Sequence, residues 1–137
     1  MNAALRRRLG DPERGATSLE MVFYTPLLML VIFLTVQFAL SWHGNQIASA
    51  VAREAARAAR AGGGTVVALA QAEARGVEYA EAIGGEALTD VEVEARAVGD
   101  DEVEVTVTGR AVEIVDGFAP LVSVTVRGPV EEFRPDV

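Results

Sequence analysis

The chain has no cysteine, no lysine and a single histidine, His43. Without cysteine there is no thiol nucleophile, no disulfide staple and no Cys-based zinc site. Every positive charge is an arginine, 12 in all, a pattern that reads as a base-composition bias of the genome rather than as chemistry. Beyond residue 42 eight arginines face seventeen acids, a net charge of −9. A nucleic-acid partner calls for a basic stripe, so that class is set aside. An enzyme has little to work with. His43 lies beside Trp42 at the end of an apolar run, and Ser18, Ser41, Ser49 and Ser123 stand in no nucleophile motif. Gly62-Gly63-Gly64 lacks the Lys-Ser/Thr of a phosphate-cradling loop. Asp100 and Asp101 follow Gly99 between two strand-like stretches, where paired acids are more often turn formers than acid–base groups or calcium ligands. No catalytic residue, cofactor, metal or small-molecule substrate is expected.

What is abundant is uncharged sequence near the start. Glu20 is the last charge until Arg53, and the 22 residues from Met21 to Trp42 run apolar. A helix of that length spans about 33 Å, enough to cross a hydrocarbon core of about 30 Å. Met21, Pro26, Leu30, Phe38 and Trp42 mark the expected membrane-spanning stretch. Pro26 predicts a slight kink, which membrane helices tolerate better than soluble ones. Trp42 is placed for the outer interface. Arg6, Arg7, Arg8 and Arg14 against Asp11 and Glu13 leave residues 1–15 at +2, and basic residues before a membrane helix hold that end in the cytoplasm. The expectation is a single-pass protein of the plasma membrane, its N-terminus cytoplasmic and its C-terminal domain extracytoplasmic and able to reach the cell surface.

From Asn45 to Arg60 the sequence is Ala-rich and helix-favouring. Arg53, Arg57 and Arg60 share one face, and Ile47, Val51 and Ala55 another. One helix from about Ala16 to Ala61 is predicted, ended by Gly62-Gly63-Gly64. A second runs from about Thr65 to Ile83, with Leu69, Ala72, Gly76, Ala80 and Ile83 on its apolar face, and stops at Gly84-Gly85. The period then changes to 2. Val91, Val93, Ala95 and Ala97 alternate with Glu92, Glu94 and Arg96; Val103, Val105 and Val107 alternate with Glu102, Glu104 and Thr106. Gly99-Asp100-Asp101 makes the hairpin turn between them. The second strand resumes after Gly109, the expected bulge, through Ala111, Val112 and Ile114. Asp116-Gly117 turns the chain into a third strand, Leu121 to Val126, ended by Gly128-Pro129. The alternating acids read as the solvated face. The fold class is α+β: a long N-terminal transmembrane helix that continues into a small extracytoplasmic domain with a second helix and about three antiparallel strands. The expected divisions are a basic leader over 1–15, the transmembrane helix over 16–42 and its extracytoplasmic extension over 43–61. The α+β domain covers 65–128 and an acidic tail 129–137.

Glu20 stands out, because a carboxylate at the mouth of an apolar helix is either an interfacial charge or part of a signal. A basic leader, then Gly15, then a carboxylate five residues on, then the apolar run, forms a three-part export signal. An ordinary signal peptide has its small-residue site beyond a shorter apolar run. Ala48-Ser49-Ala50 offers such a site and would release a soluble domain.

The Gly15 to Glu20 arrangement resembles the processing site of type IV pilin-like proteins. Pro26 and the apolar stretch after it, then Val51-Ala52-Arg53-Glu54-Ala55-Ala56-Arg57-Ala58-Ala59, look like the TadE-like pseudopilins of the tight-adherence (Flp pilus) secretion machinery. The resemblance covers residues 14–60. It implies a cut by a prepilin peptidase between Gly15 and Ala16, which makes Glu20 the fifth mature residue. Met21 stands where Flp major pilins usually have Tyr, and the chain is much longer than a major subunit. Both departures point to a minor pseudopilin. The resemblance further implies that the new α-amino group of Ala16 pairs with Glu20 of its own or a neighbouring subunit and so sets the packing register. Thr35 and Ala39 would allow close helix approach. The implied partners are the membrane, a prepilin peptidase and other Tad pilus subunits. The alternative is an unprocessed, single-pass anchor carrying an extracytoplasmic interaction domain.

Overall fold

The computed structural model describes residues 12–114, 117 and 120–131, with the backbone alone for 12–17. The basic leader through residue 11, Asp116 of the second turn and residues 132–137 of the tail lie outside the described residues. The elements are helix α1 (Pro12–Ala61), helix α2 (Val66–Gly84) and strands β1 (Leu88–Val98), β2 (Glu102–Ala111) and β3 (Leu121–Pro129). The strands form an antiparallel sheet in the order β1-β2-β3. The architecture is the α+β arrangement expected. The chain divides into two compact units, Met1–Val36 and Gln37–Val137.

In the second unit the inner face of the sheet packs on helices. Val105 and Val107 of β2 are fully buried, in one core with Ile47, Ala48, Val51, Ala52, Ala55 and Ala56 of α1 and Ala80 of α2. A smaller cluster joins Ala59, Ala72 and Val103. The face of α1 read as apolar is therefore its buried face. Arg53 and Arg57 are exposed, but Arg60 is half-buried, because Gly128 of β3 packs against its guanidinium. The three glycines after α1 make the turn, Gly63 and Gly64 with φ of +72° and +64°. Thr65 then caps α2, its hydroxyl accepting from the Ala68 amide at 3.3 Å.

The buried stripe of α2 is Ala68, Ala72, Gly76, Ala80 and Gly84, at every fourth residue. Leu69 is half-buried beside it and Ile83 is exposed. The larger side chains do not own this face because the helix lies too close to its neighbours. A Cβ at Gly76 would fall 3.0 Å and 3.1 Å from the methyls of Val93 and 3.2 Å from the Cβ of Ala55. The bulge expected at Gly109 lies on the strand opposite. Thr89 pairs with Arg110 and Glu92 with Thr108, so Asp90 and Val91 together face Gly109, and Asp90 takes φ +50°. Strand β2 ends at Ala111 and does not continue to Ile114. Strand β3 runs through Gly128 to Pro129.

The outer face of the sheet departs from the solvated reading at one residue. Glu104 is only 2% exposed. It pairs across the sheet with Arg96 on β1 and Arg127 on β3, and each guanidinium donates to one of its carboxylate oxygens. The hydrogen bond from Arg127, helped by Arg96 and by the charge of both, holds the Glu104 carboxyl below its ordinary value of 4.5, against the upward push of burial. At the β1 edge the carboxylate of Glu73 accepts from the Ala95 amide at 2.9 Å and covers a strand group that would otherwise be open to pairing.

Two outcomes are expected. Gly76→Val forces Val93 or Ala55 aside, so it lowers stability by about 1–3 kcal/mol despite the better helix propensity. Thermal unfolding should show this loss, with Ala74→Ser on the exposed side of α2 as the unaffected control. A depressed folded pKa contributes stability that is full well above the ordinary 4.5 and lost as pH falls through the folded value. The Tm advantage of the native chain over Glu104→Gln should therefore be greatest near neutrality and shrink on acidification below about pH 5. A gap independent of pH would mean that the pairing is not ionic.

Candidate functional site

The residues singled out in the sequence all lie on α1. The Gly15–Ala16 bond falls within the helix, which starts at Pro12 rather than at Ala16. Proline suits a first helical position, since its missing N–H is one of those without an intrahelical acceptor. Glu20 is exposed. From there the helix presents apolar side chains outward without a break: Leu19, Met21, Phe23, Leu30 and Ile32 are all exposed. Pro26 and Trp42 are exposed as well, and Phe38 is 69% exposed. No packed core accounts for so much large apolar surface along one helix. The helix is long and apolar enough to cross a membrane, and its apolar window is not buried by the rest of the chain. One N-terminal helix of this kind points to single-pass membrane anchoring.

Two of its hydroxyls are satisfied within the helix. The Thr25 hydroxyl donates to the Met21 carbonyl at 2.7 Å and the Thr35 hydroxyl to the Val31 carbonyl at 2.8 Å. In hydrocarbon an unpartnered hydroxyl is costly, and these two carry their partners with them. The helix continues through Pro26.

Residues 15–57 match the family model of TadE-like proteins. The match supports a TadE-like protein. It begins at Gly15 and ends at Arg57, so it takes in Ala16, Glu20, the exposed apolar face and most of the buried Ala-rich face. The sheet lies outside the TadE-like segment. No curated protein matches the chain, and no solved structure does.

One residue that ties two elements together went unseen in the sequence. Gln37 is the first residue of the second compact unit, inside the run expected to be in the membrane. Its amide nitrogen donates to the Val112 carbonyl at 3.1 Å, and its amide oxygen accepts from the Ile114 N–H at 3.1 Å. One side chain thus holds the chain that leaves β2 to the helix. Leu40 and Ser41 are half-buried in the same unit. The signal was there: Gln37 is the lone amide between Met21 and Trp42.

Gln37→Leu keeps the volume and deletes both bonds, leaving the Ile114 N–H without that acceptor. A loss of about 1–3 kcal/mol is expected. It should appear as faster hydrogen exchange at the Ile114 amide, by a larger factor than at amides of central β2.

Proposed function

We propose that this chain is a minor pseudopilin or assembly component of a Tad (Flp-type) pilus or secretion system. It is a substrate of a prepilin peptidase and not itself an enzyme. The observation that carries the reading is the TadE-like match over residues 15–57, whose first residue is Gly15. The basic leader orients the helix with its N-terminus in the cytoplasm and the α+β domain outside. Cleavage between Gly15 and Ala16 removes the leader and creates an α-amino group four residues before Glu20. In a membrane an unpaired carboxylate is costly, and that amine, on the same or a neighbouring subunit, is a ready partner. The pairing selects register more than it adds stability. The outer domain then makes contacts with other Tad subunits.

A second reading is an unprocessed single-pass anchor. The N-terminal residue of the protein purified from native membranes separates the two. Ala16 as first residue, N-methylated or not, is the expected result. Met1 as first residue would leave a single-pass anchor with an extracytoplasmic interaction domain. For the processed protein, Glu20→Gln should lower co-purification with the other Tad subunits while leaving membrane insertion intact. Undiminished co-purification would remove the register role from Glu20.

A further inference from the structure

We infer that the outer domain rests on the membrane surface through one end of its sheet, with Ile114 and Leu121 entering the lipid interface beside Phe38 and Trp42. The inference rests on the reading of α1 as a membrane span. It starts from chain length. The apolar run before the second unit goes from Met21 to Val36. Its 16 residues cover about 24 Å as a helix, most of the roughly 30 Å of hydrocarbon. Gln37 is the next residue, so the folded unit begins close to the outer edge of the hydrocarbon. Trp42 comes six residues past Val36, about 9 Å further along the helix, in the headgroup layer that tryptophan favours.

Within the second unit, contacts fix which end of the sheet lies at that level. Gln37 bonds to Val112 and Ile114, and a Cβ on Gly44 would meet Ala111 at 2.9 Å. The Ala111 amide donates to the Pro120 carbonyl at 3.1 Å, which holds the start of β3 at the same end. The hairpin of Gly99, Asp100 and Asp101 is at the other end, beyond the pair of Val98 with Glu102. The near end carries large apolar side chains in the open: Leu121 is 76% exposed and Ile114 38%, and on the helix Phe38, next to Gln37, and Trp42 (59%) are exposed too. Among the described residues at this end, Arg110 is paired, 3.6 Å from Asp90. The backbone groups nearest the helix are taken by Gln37, as a segment near a low-dielectric boundary requires. The far end offers paired acids instead. The occupant that fits is therefore the lipid interface, bound by apolar insertion, with no demand for anionic headgroups from a domain that is itself acidic.

The absence of cysteine makes the test clean. Single variants Leu30→Cys, Ile114→Cys, Leu121→Cys and Asp100→Cys of the full chain are spin-labelled in phosphatidylcholine nanodiscs, one copy per disc. Collision with oxygen, which partitions into lipid, is compared with collision with a water-soluble nickel chelate. The expected result is a hydrocarbon signature at Leu30 and a water signature at Asp100. Ile114 and Leu121 should show an oxygen-to-nickel ratio several-fold above that of Asp100 and below that of Leu30. If Leu30 is in hydrocarbon while Ile114 and Leu121 match Asp100, the anchor stands and the docking is overturned. If Leu30 also matches Asp100, the membrane reading fails and the docking with it. Protection of Ile114 and Leu121 only in discs holding two copies would assign the patch to a second subunit and overturn the lipid assignment.

Discussion

The outer domain depends on how closely small side chains let its helices approach one another and the sheet. Between Ile47 and Ala59 the buried face of α1 is built from alanine apart from Ile47 and Val51, and α2 adds Ala68, Ala72, Gly76, Ala80 and Gly84. Small residues bury little area each, so such a core gains through close contact rather than bulk. The same closeness leaves no room at Gly76, where an added methyl would meet Val93 and Ala55. The valines of β2 supply the bulk: Val103, Val105 and Val107 are fully buried. A domain of this size has a modest core, and the placement of each valine counts.

The polar groups follow a related economy. Charges and amides that would be costly on their own are used as ties between elements. Glu104 links all strands of the sheet through Arg96 and Arg127. Glu73 joins α2 to the β1 edge through the Ala95 amide, and Gln37 joins α1 to the backbone after β2. A buried ion pair adds little net stability, yet leaving one partner alone is expensive, so these groups favour one arrangement of the elements over others. Gln37 also marks a change of surroundings. Before it the apolar side chains of α1 are exposed; beyond it Phe38 and Trp42 still are, and from Ile47 onward the helix takes part in a core.

Most of the fold could be read along the chain. The runs of alternating valine and acid became β1 and β2, the glycine triplet became the turn, and the Ile47, Val51 and Ala55 face became the buried one. The misreadings share a cause. Ile83 looked like core by size and is exposed, while Leu69 does pack against the smaller cluster; the fully buried stripe at every fourth residue has the small side chains that the spacing demanded. Gly109 suggested a bulge and the extra residue proved to lie across from it, at Asp90 and Val91, because a bulge belongs to a strand pair. Glu104 reads like Glu94 or Glu102 in the alternation, and only its cross-strand neighbours set it apart. Of the candidate site, Glu20 and the exposed apolar face were visible because charge and length along one helix are local properties.

The sequence by itself determined the long apolar helix, its charged flanks, the change of period from 3.6 to 2 and hence the α+β class. Each of these follows from side-chain spacing along one segment, which needs no knowledge of what lies opposite. Tertiary structure alone decided which acid is buried, where the bulge sits, that Gly76 has no space beside it and that Gln37 ties the end of β2 to the helix. Those features arise between segments 8 to 77 residues apart, from Arg96 with Glu104 to Gln37 with Ile114, and the pattern along one segment does not record a neighbour on another.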